Sequence, residues 1–273
     1  MSKEKSTFTA ENNPAVTVET GSENKGKGKP TFRHPWAWVP SLYYAEGIPY
    51  AIVMLVSIIM YKDMGISNTD ITFYTSWLSL PWVIKPLWSP FVDMFRKKRS
   101  WIIAMQFLIG FGLAGVALTI PAAAFFQYTL MFLFLLAFSS ATHDIAADGF
   151  YMLGLDKHGQ AFYAGIRGTF YRIAMITAQG ILVVIAGTLS KTAGVVSAWT
   201  TVFYIITGLF FIFAIYHFFI LPYPLSDKPA VAEGSKGVLQ NFTNTFALFF
   251  KKNKIGLILA LLLTYRLGEA QLL

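Results

Sequence analysis

Phe138-Ser-Ser-Ala-Thr-His-Asp-Ile-Ala-Ala-Asp-Gly-Phe150 sets a histidine and two acids inside a long apolar run, and residues 161–179 then add two arginines. A charge in hydrocarbon costs at least about 2–3 kcal/mol, so such residues face a bundle interior or an aqueous path and find partners there. On a helix Ser140, Asp144 and Asp148 fall at i, i+4 and i+8 and form one polar stripe. Gly168, Arg172 and Gln179 likewise share a face of the following helix. Two neighbouring helices with opposite charge stripes point to a path for a solute or a proton through a membrane.

Composition agrees with that reading. Hydrophobic residues make up 55% of the chain and charged residues 13%, about half the charged share of a soluble protein. The apolar residues come in runs long enough to cross a bilayer. A net charge of +8 raises nucleic acid as a partner. The basic residues concentrate instead in the tail and in loops between apolar runs, which is the positive-inside pattern, so nucleic acid is set aside. There are no cysteines and hence no disulfides. About 35 polar residues precede the first apolar run, too many for the short basic region of a cleavable signal peptide.

The expected fold class is all-α, a polytopic bundle of transmembrane helices with six complete spans and a partial seventh. Residues 1–35 are poor in large apolar side chains and read as a disordered cytoplasmic tail. The six-helix bundle covers 36–221, with spans at about 36–60, 71–90, 101–122, 128–153, 161–189 and 198–221. The first span contains Glu46-Gly47-Ile48-Pro49, an acid followed by two helix-loosening residues. Residues 222–254 form a loop in which Leu239, Phe242, Phe246, Phe249 and Phe250 recur at helical spacing beside Lys251, Lys252 and Lys254, the pattern of a helix lying in the interface. Residues 255–273 open a second bundle.

Orientation follows from the short loops. The tail, the loop with Arg96, Lys97, Lys98 and Arg99, and the loop with Lys251–Lys254 are basic, while the alternate turns carry only Lys62, none, and Lys191. The amino terminus is therefore expected in the cytoplasm, with spans one, three and five running outward. Near the end, Thr264-Tyr-Arg266-Leu-Gly-Glu269 echoes Leu42-Tyr-Tyr-Ala-Glu46-Gly47. Repeated halves are the usual construction of secondary transporters, so Arg266 and Glu269 are read as the second-half counterparts, and the chain as a truncated sequence.

From Trp36 onward the chain carries, in order, Tyr44-Ala-Glu-Gly-Ile-Pro49, Trp82-Val-Ile-Lys-Pro-Leu-Trp-Ser-Pro-Phe-Val-Asp93, Ser140-Ala-Thr-His-Asp-Ile-Ala-Ala-Asp148 and Phe170-Tyr-Arg-Ile-Ala174. In that order these features resemble the major facilitator superfamily, and within it the group that includes AmpG-type muropeptide permeases and acetyl-coenzyme A transporters. The superfamily's signature loop after span two is matched in part, by Asp93 and the basic run. Its usual glycines are replaced by Ser89 and Arg96. The resemblance implies twelve or more spans in a complete protein.

Helix rise sets depths. From an inner boundary near Leu153, Asp148 lies ~8 Å and Asp144 ~14 Å deep, while Arg167 and Arg172 lie ~9 Å and ~17 Å from the start of span five. The pairs Asp148–Arg167 and Asp144–Arg172 are thus matched, and Glu46 falls in the same layer. A carboxylate shielded from water can bind and release protons near neutral pH. The expected solute and proton pathway is Glu46, His143, Asp144, Asp148, Arg167, Arg172, Gln179 and Tyr44, with Asp144→Asn the first variant to test. His143 is read evenly as a proton relay or a helix–helix hydrogen bond. Lys85, close to the end of its span, is expected to snorkel to the interface. Asp93 with Arg96–Arg99 is read as a topology motif bracing the inner surface. The arginines are the candidates for an anionic group of the solute, since guanidinium holds carboxylate or phosphate bidentately.

The expected function is secondary active transport in the cytoplasmic (inner) membrane, coupled to protons. The resemblance favours an anionic or amphiphilic solute such as anhydro-muropeptide, with acetyl-coenzyme A as the alternative. An enzyme is not expected: there is no Gly-x-Ser-x-Gly elbow and no phosphate-binding glycine loop. His34, His143, His158 and His217 are scattered along the chain, so no metal site and no cofactor are expected. The expected partners are the solute, protons and lipid, and the complete protein is expected to be a monomer. A non-transporting fragment is the third reading.

Overall fold

The computed structural model describes residues 33–229 without interruption and, beyond them, residues 240, 243–244, 247–248, 251–258, 260–261 and 264. Residues 1–32 of the expected tail, the repeat residues Arg266 and Glu269, and most of the expected interfacial helix lie outside the described residues. Among the described residues every regular element is helical, as the apolar runs require, since a helix satisfies its own backbone in lipid.

Five helices are long and apolar enough to cross a membrane: Pro35–Asp63, Lys98–Thr119, Phe125–Gly154, Lys157–Ala193 and Val195–Ile220. They correspond to spans one, three, four, five and six. Span two is different. It is broken into Asn68–Ser76, a 3-10 turn at Trp77–Ser79, Leu80–Val83 and Lys85–Phe95. Pro81 and Pro86 account for the breaks, since each lacks an amide hydrogen and crowds the carbonyl four residues back, whereas the helix Lys85–Phe95 continues through Pro90. Lys85 therefore starts a new helical piece within the stretch 68–95 rather than standing at a span end. That corrects the expectation that it snorkels.

Span one changes its helical winding just after Gly47 and Pro49. The helix Val39–Ala51 passes into a π-helical turn at Ile52–Val56 just after Pro49. Gly47 is required by its neighbours: a Cβ there would lie 2.8 Å from Ala174 Cβ and 2.9 Å from the Tyr171 carbonyl oxygen of span five. Span five is capped by Asp156, whose carboxylate accepts the Gly159 amide at 2.9 Å, and has its own π-helical turn at Thr177–Leu182. Gly194, at φ +80°, makes the tight turn into span six.

Span three packs along spans four and six, and span one along spans five and four. One buried cluster, including Val56, Leu113, Val116, Leu133, Phe203 and Phe210, fills the body of the bundle. A second, around Trp38, Leu42, Phe150 and Leu221, closes the end that carries the basic loop. In lipid such contacts stabilise through close packing rather than exclusion of water.

That basic end is locked by its charges. Asp227 accepts the backbone amides of Lys98 at 2.7 Å and Arg99 at 3.2 Å, so the segment after span six caps the start of span three. The Arg99 guanidinium donates to the carbonyls of Phe218 and Leu221 at the end of span six and lies 4.0 Å over the Tyr223 ring. Lys98 pairs with Asp93. Arg96 and Lys97 face outward.

Candidate functional site

Spans one, two, four and five enclose a cavity of about 850 Å³, within the range of small-molecule sites. Span one contributes Tyr43, Glu46 and Tyr50, at i, i+3 and i+7 on one helix face. The broken span two contributes Trp82 and Lys85, span four Asp144, and span five Arg167, Gly168, Tyr171 and Arg172. Gly168 leaves the wall open, with nothing near where a Cβ would stand.

Two charge centres stand in this wall. In the first, Asp144 Oδ2 accepts from Lys85 Nζ at 2.6 Å and Trp82 Nε1 at 3.1 Å. Glu46 and His143 are buried beside it, and one ligand atom from each of Glu46, His143 and Asp144 lies within 4.8 Å of the others. In the second, Arg167 Nη2 is 2.9 Å from Asp148 Oδ1, and the Tyr43 hydroxyl donates to the same oxygen at 3.1 Å. The guanidinium sits 4.6 Å over the Tyr43 ring and 5.1 Å over the Tyr151 ring. Aromatic faces thus hold it in place as a charge partner alone would not.

Residues 41–268 match the family model of the Major Facilitator Superfamily. The chain belongs to the major facilitator superfamily. It is 26% identical over 236 residues to the anhydromuropeptide permease of Escherichia coli K12, covering 84% of this chain and 45% of that protein. It is 27% identical over 241 residues to a putative AmpG transporter of Rickettsia conorii, covering 83% and 55%. An uncharacterised membrane protein of Saccharomyces cerevisiae is 30% identical over 148 residues, 44% of this chain and 26% of its own length. The chain spans about half the length of the curated bacterial relatives it matches.

This facilitator chain brings together most of the residues its sequence singles out, with changed partners. Asp148 meets Arg167 at the matched depth. Asp144 pairs with Lys85 instead of Arg172, because the break after Val83 turns the lysine into the bundle. Arg172 lines the cavity, and among the described residues it has no ion-pair partner. Tyr44 does not reach the cavity. One residue on from Tyr43, it is rotated about 100° round the helix and packs on Phe213 of span six, ring centroids 5.8 Å apart. Gln179 lies exposed on the π-helical turn, away from the cavity lining.

The facilitator bundle also holds a chain of polar side chains that the sequence reading passed over. Ser41 Oγ is 3.0 Å from His217 Nε2, His217 Nδ1 is 3.0 Å from Gln106 Oε1, and Gln106 Nε2 is 3.0 Å from His143 Nε2. The available signal was a lone glutamine in an apolar helix, since a buried amide needs partners. As placed, Gln106 donates to His143 Nε2, so the ring proton sits on Nδ1. Lys85 Nζ already occupies Asp144 at 2.6 Å, so a cation placed among Glu46, His143 and Asp144 meets a like charge, and the residues present are a poor fit for a resident ion.

Proposed function

We propose that the full-length protein is a proton-coupled secondary transporter of an anionic, amphiphilic solute, with the cavity between spans one, two, four and five as its path. The observation that carries this reading is Arg172, a cation lining an 850 Å³ cavity with no ion-pair partner among the described residues. A solute carboxylate or phosphate supplies the missing charge bidentately, and the neighbouring Tyr50 and Tyr171 offer ring faces to a sugar. The relatives named as anhydromuropeptide permease and AmpG transporter support a muropeptide of that chemistry. Glu46 and Asp144, buried in the same wall, supply carboxylates for the coupled proton.

The protein lies in the cytoplasmic membrane with its amino terminus inside, by the distribution of Lys and Arg. It works without enzymatic chemistry, as two bundles that expose the cavity alternately. Residues 36–221 form the first bundle, and 222–254 the cytoplasmic connection to the next.

Uptake into vesicles carrying the full-length reading frame tests this, with labelled anhydro-muropeptide and acetyl-coenzyme A, with and without an imposed proton gradient. Gradient-dependent accumulation of the muropeptide is expected. Accumulation of acetyl-coenzyme A alone replaces the solute, and accumulation of neither by folded protein removes the assignment.

A further inference from the structure

Ser41, Gln106, His143 and His217 come from spans one, three, four and six, and the last three are fully buried. Their hydrogen bonds are constrained as a set. A neutral imidazole has one N–H and one lone pair, and an amide has one donating and one accepting end. With the Gln106 nitrogen on His143 Nε2, the His143 proton is on Nδ1. Gln106 Oε1 then takes the Nδ1 proton of His217, and His217 Nε2 takes the Ser41 hydroxyl. Turn the amide over and every bond reverses. His143 donates from Nε2, His217 donates from Nε2 to Ser41, and the hydroxyl proton of Ser41 goes to the Trp38 carbonyl, 3.2 Å away. Both polarities leave each member paired.

The free end of this chain meets the acids. Glu46 Oε2, Asp144 Oδ1 and His143 Nδ1 are buried, and among the described residues none has a hydrogen-bond partner. Asp144 already holds Lys85 and Trp82 on its other oxygen, so it is the compensated carboxylate. Glu46, Asp144 and Lys85 together leave one negative charge, while Asp148 and Arg167, the other charges near Glu46, offset each other beside Tyr43. One proton on Glu46 brings the set to neutrality. A divalent ion leaves it positive beside Lys85, and Na⁺ finds a nitrogen where it needs oxygen.

We propose that the Ser41–His217–Gln106–His143 chain is a positioning relay whose polarity follows the proton on Glu46. When Glu46 is ionised, His143 presents its Nδ1–H to the carboxylate. When Glu46 is protonated, His143 presents a lone pair and the chain runs the other way. Each histidine carries one ring proton in both states and the Gln106 amide turns by half a rotation; each ring takes up a proton at one nitrogen and gives one up from the other, so the net change is the single proton on Glu46. Gln106 and His217 thus act through His143 and touch neither solute nor coupled proton. This rests on Glu46 being the acid that carries the proton.

The test uses full-length protein labelled with ¹⁵N-histidine, with His34→Gln and His158→Gln to simplify the spectrum. Ring-nitrogen shifts report which nitrogen of His143 and His217 is protonated. Both residues are expected to move together from the Nδ1–H to the Nε2–H form as pH falls. In Gln106→Glu the carboxylate only accepts. The two histidines should then hold unlike tautomers (Nε2–H on His143, Nδ1–H on His217) at every pH at which the new carboxylate is ionised. Gradient-driven accumulation should fall by about 10–100-fold, the size of effect seen when the orienting partner of a metal-bound histidine is removed. If that variant does not fold, Glu46→Gln should hold both tautomers fixed against pH.

Tautomers in the wild type that ignore pH, or that respond to Na⁺ or Zn²⁺ at constant pH, overturn the relay even if gradient-driven uptake stands. Reversing tautomers in a protein without gradient-driven uptake keep the relay and remove the transport reading.

Discussion

With its Nζ 2.6 Å from Asp144 Oδ2, Lys85 compensates a carboxylate that is otherwise held by one indole N–H. The Lys85 side chain is 28% exposed and that of Asp144 11%, so the pair is shielded without being sealed. Lys85→Met should therefore destabilise the protein by about 1–3 kcal/mol, the cost of a buried group left unsatisfied, which is less than a fully sealed pair would lose. Lys85→Met with Asp144→Asn should recover most of that loss, because no uncompensated charge remains. Thermal midpoints of the four proteins in detergent form the cycle, and a double variant as unstable as Lys85→Met contradicts the pairing. Arg172 calls for a different measurement. Arg172→Gln should raise the KM for an anionic solute with little change in folding. An unchanged KM removes Arg172 from the solute path.

At the level of the helices, spans one and five approach each other closely at Gly47. Gly47→Ala places a methyl group against Ala174 and the Tyr171 carbonyl, and backbone cannot step aside as a side-chain tip can. A loss of about 1–3 kcal/mol is expected, as for other overpacked sites. Ala174→Gly removes one of the two obstacles and should restore part of it, read from the same melting curves. At the basic end, Asp227→Ala uncaps span three and should cost about 0.5–2 kcal/mol; wild-type stability in that variant assigns the capping to another group. The spans themselves were legible, because long apolar runs leave the backbone few alternatives in lipid. The Asp148–Arg167 pair was legible from rise per residue. The breaks in span two were announced by its prolines, but the direction in which they turn Lys85 depends on how the pieces pack, which periodicity does not carry. Tyr44 was misplaced by one helical position, and Gln106 meets His217 across 111 residues of sequence with no spacing to reveal it.

Taken whole, the described bundle divides by role: spans one, two, four and five wall the cavity, while spans three and six stand behind them. Orientation can be measured directly, because these 273 residues hold no cysteine and a single replacement among them adds one thiol at a known place. A membrane-impermeant maleimide should label Lys191→Cys in intact cells and Lys157→Cys only after permeabilisation; the reverse result inverts the assigned topology. The Asp227 cap and the Arg99 grip also have a mechanical side. The segment leaving span six is anchored to the amides of span three, to the last carbonyls of span six and, through the Ser226 hydroxyl, to the Leu153 carbonyl of span four. Tension along that tether is therefore shared among three helix ends, as in a strain-relieved cable.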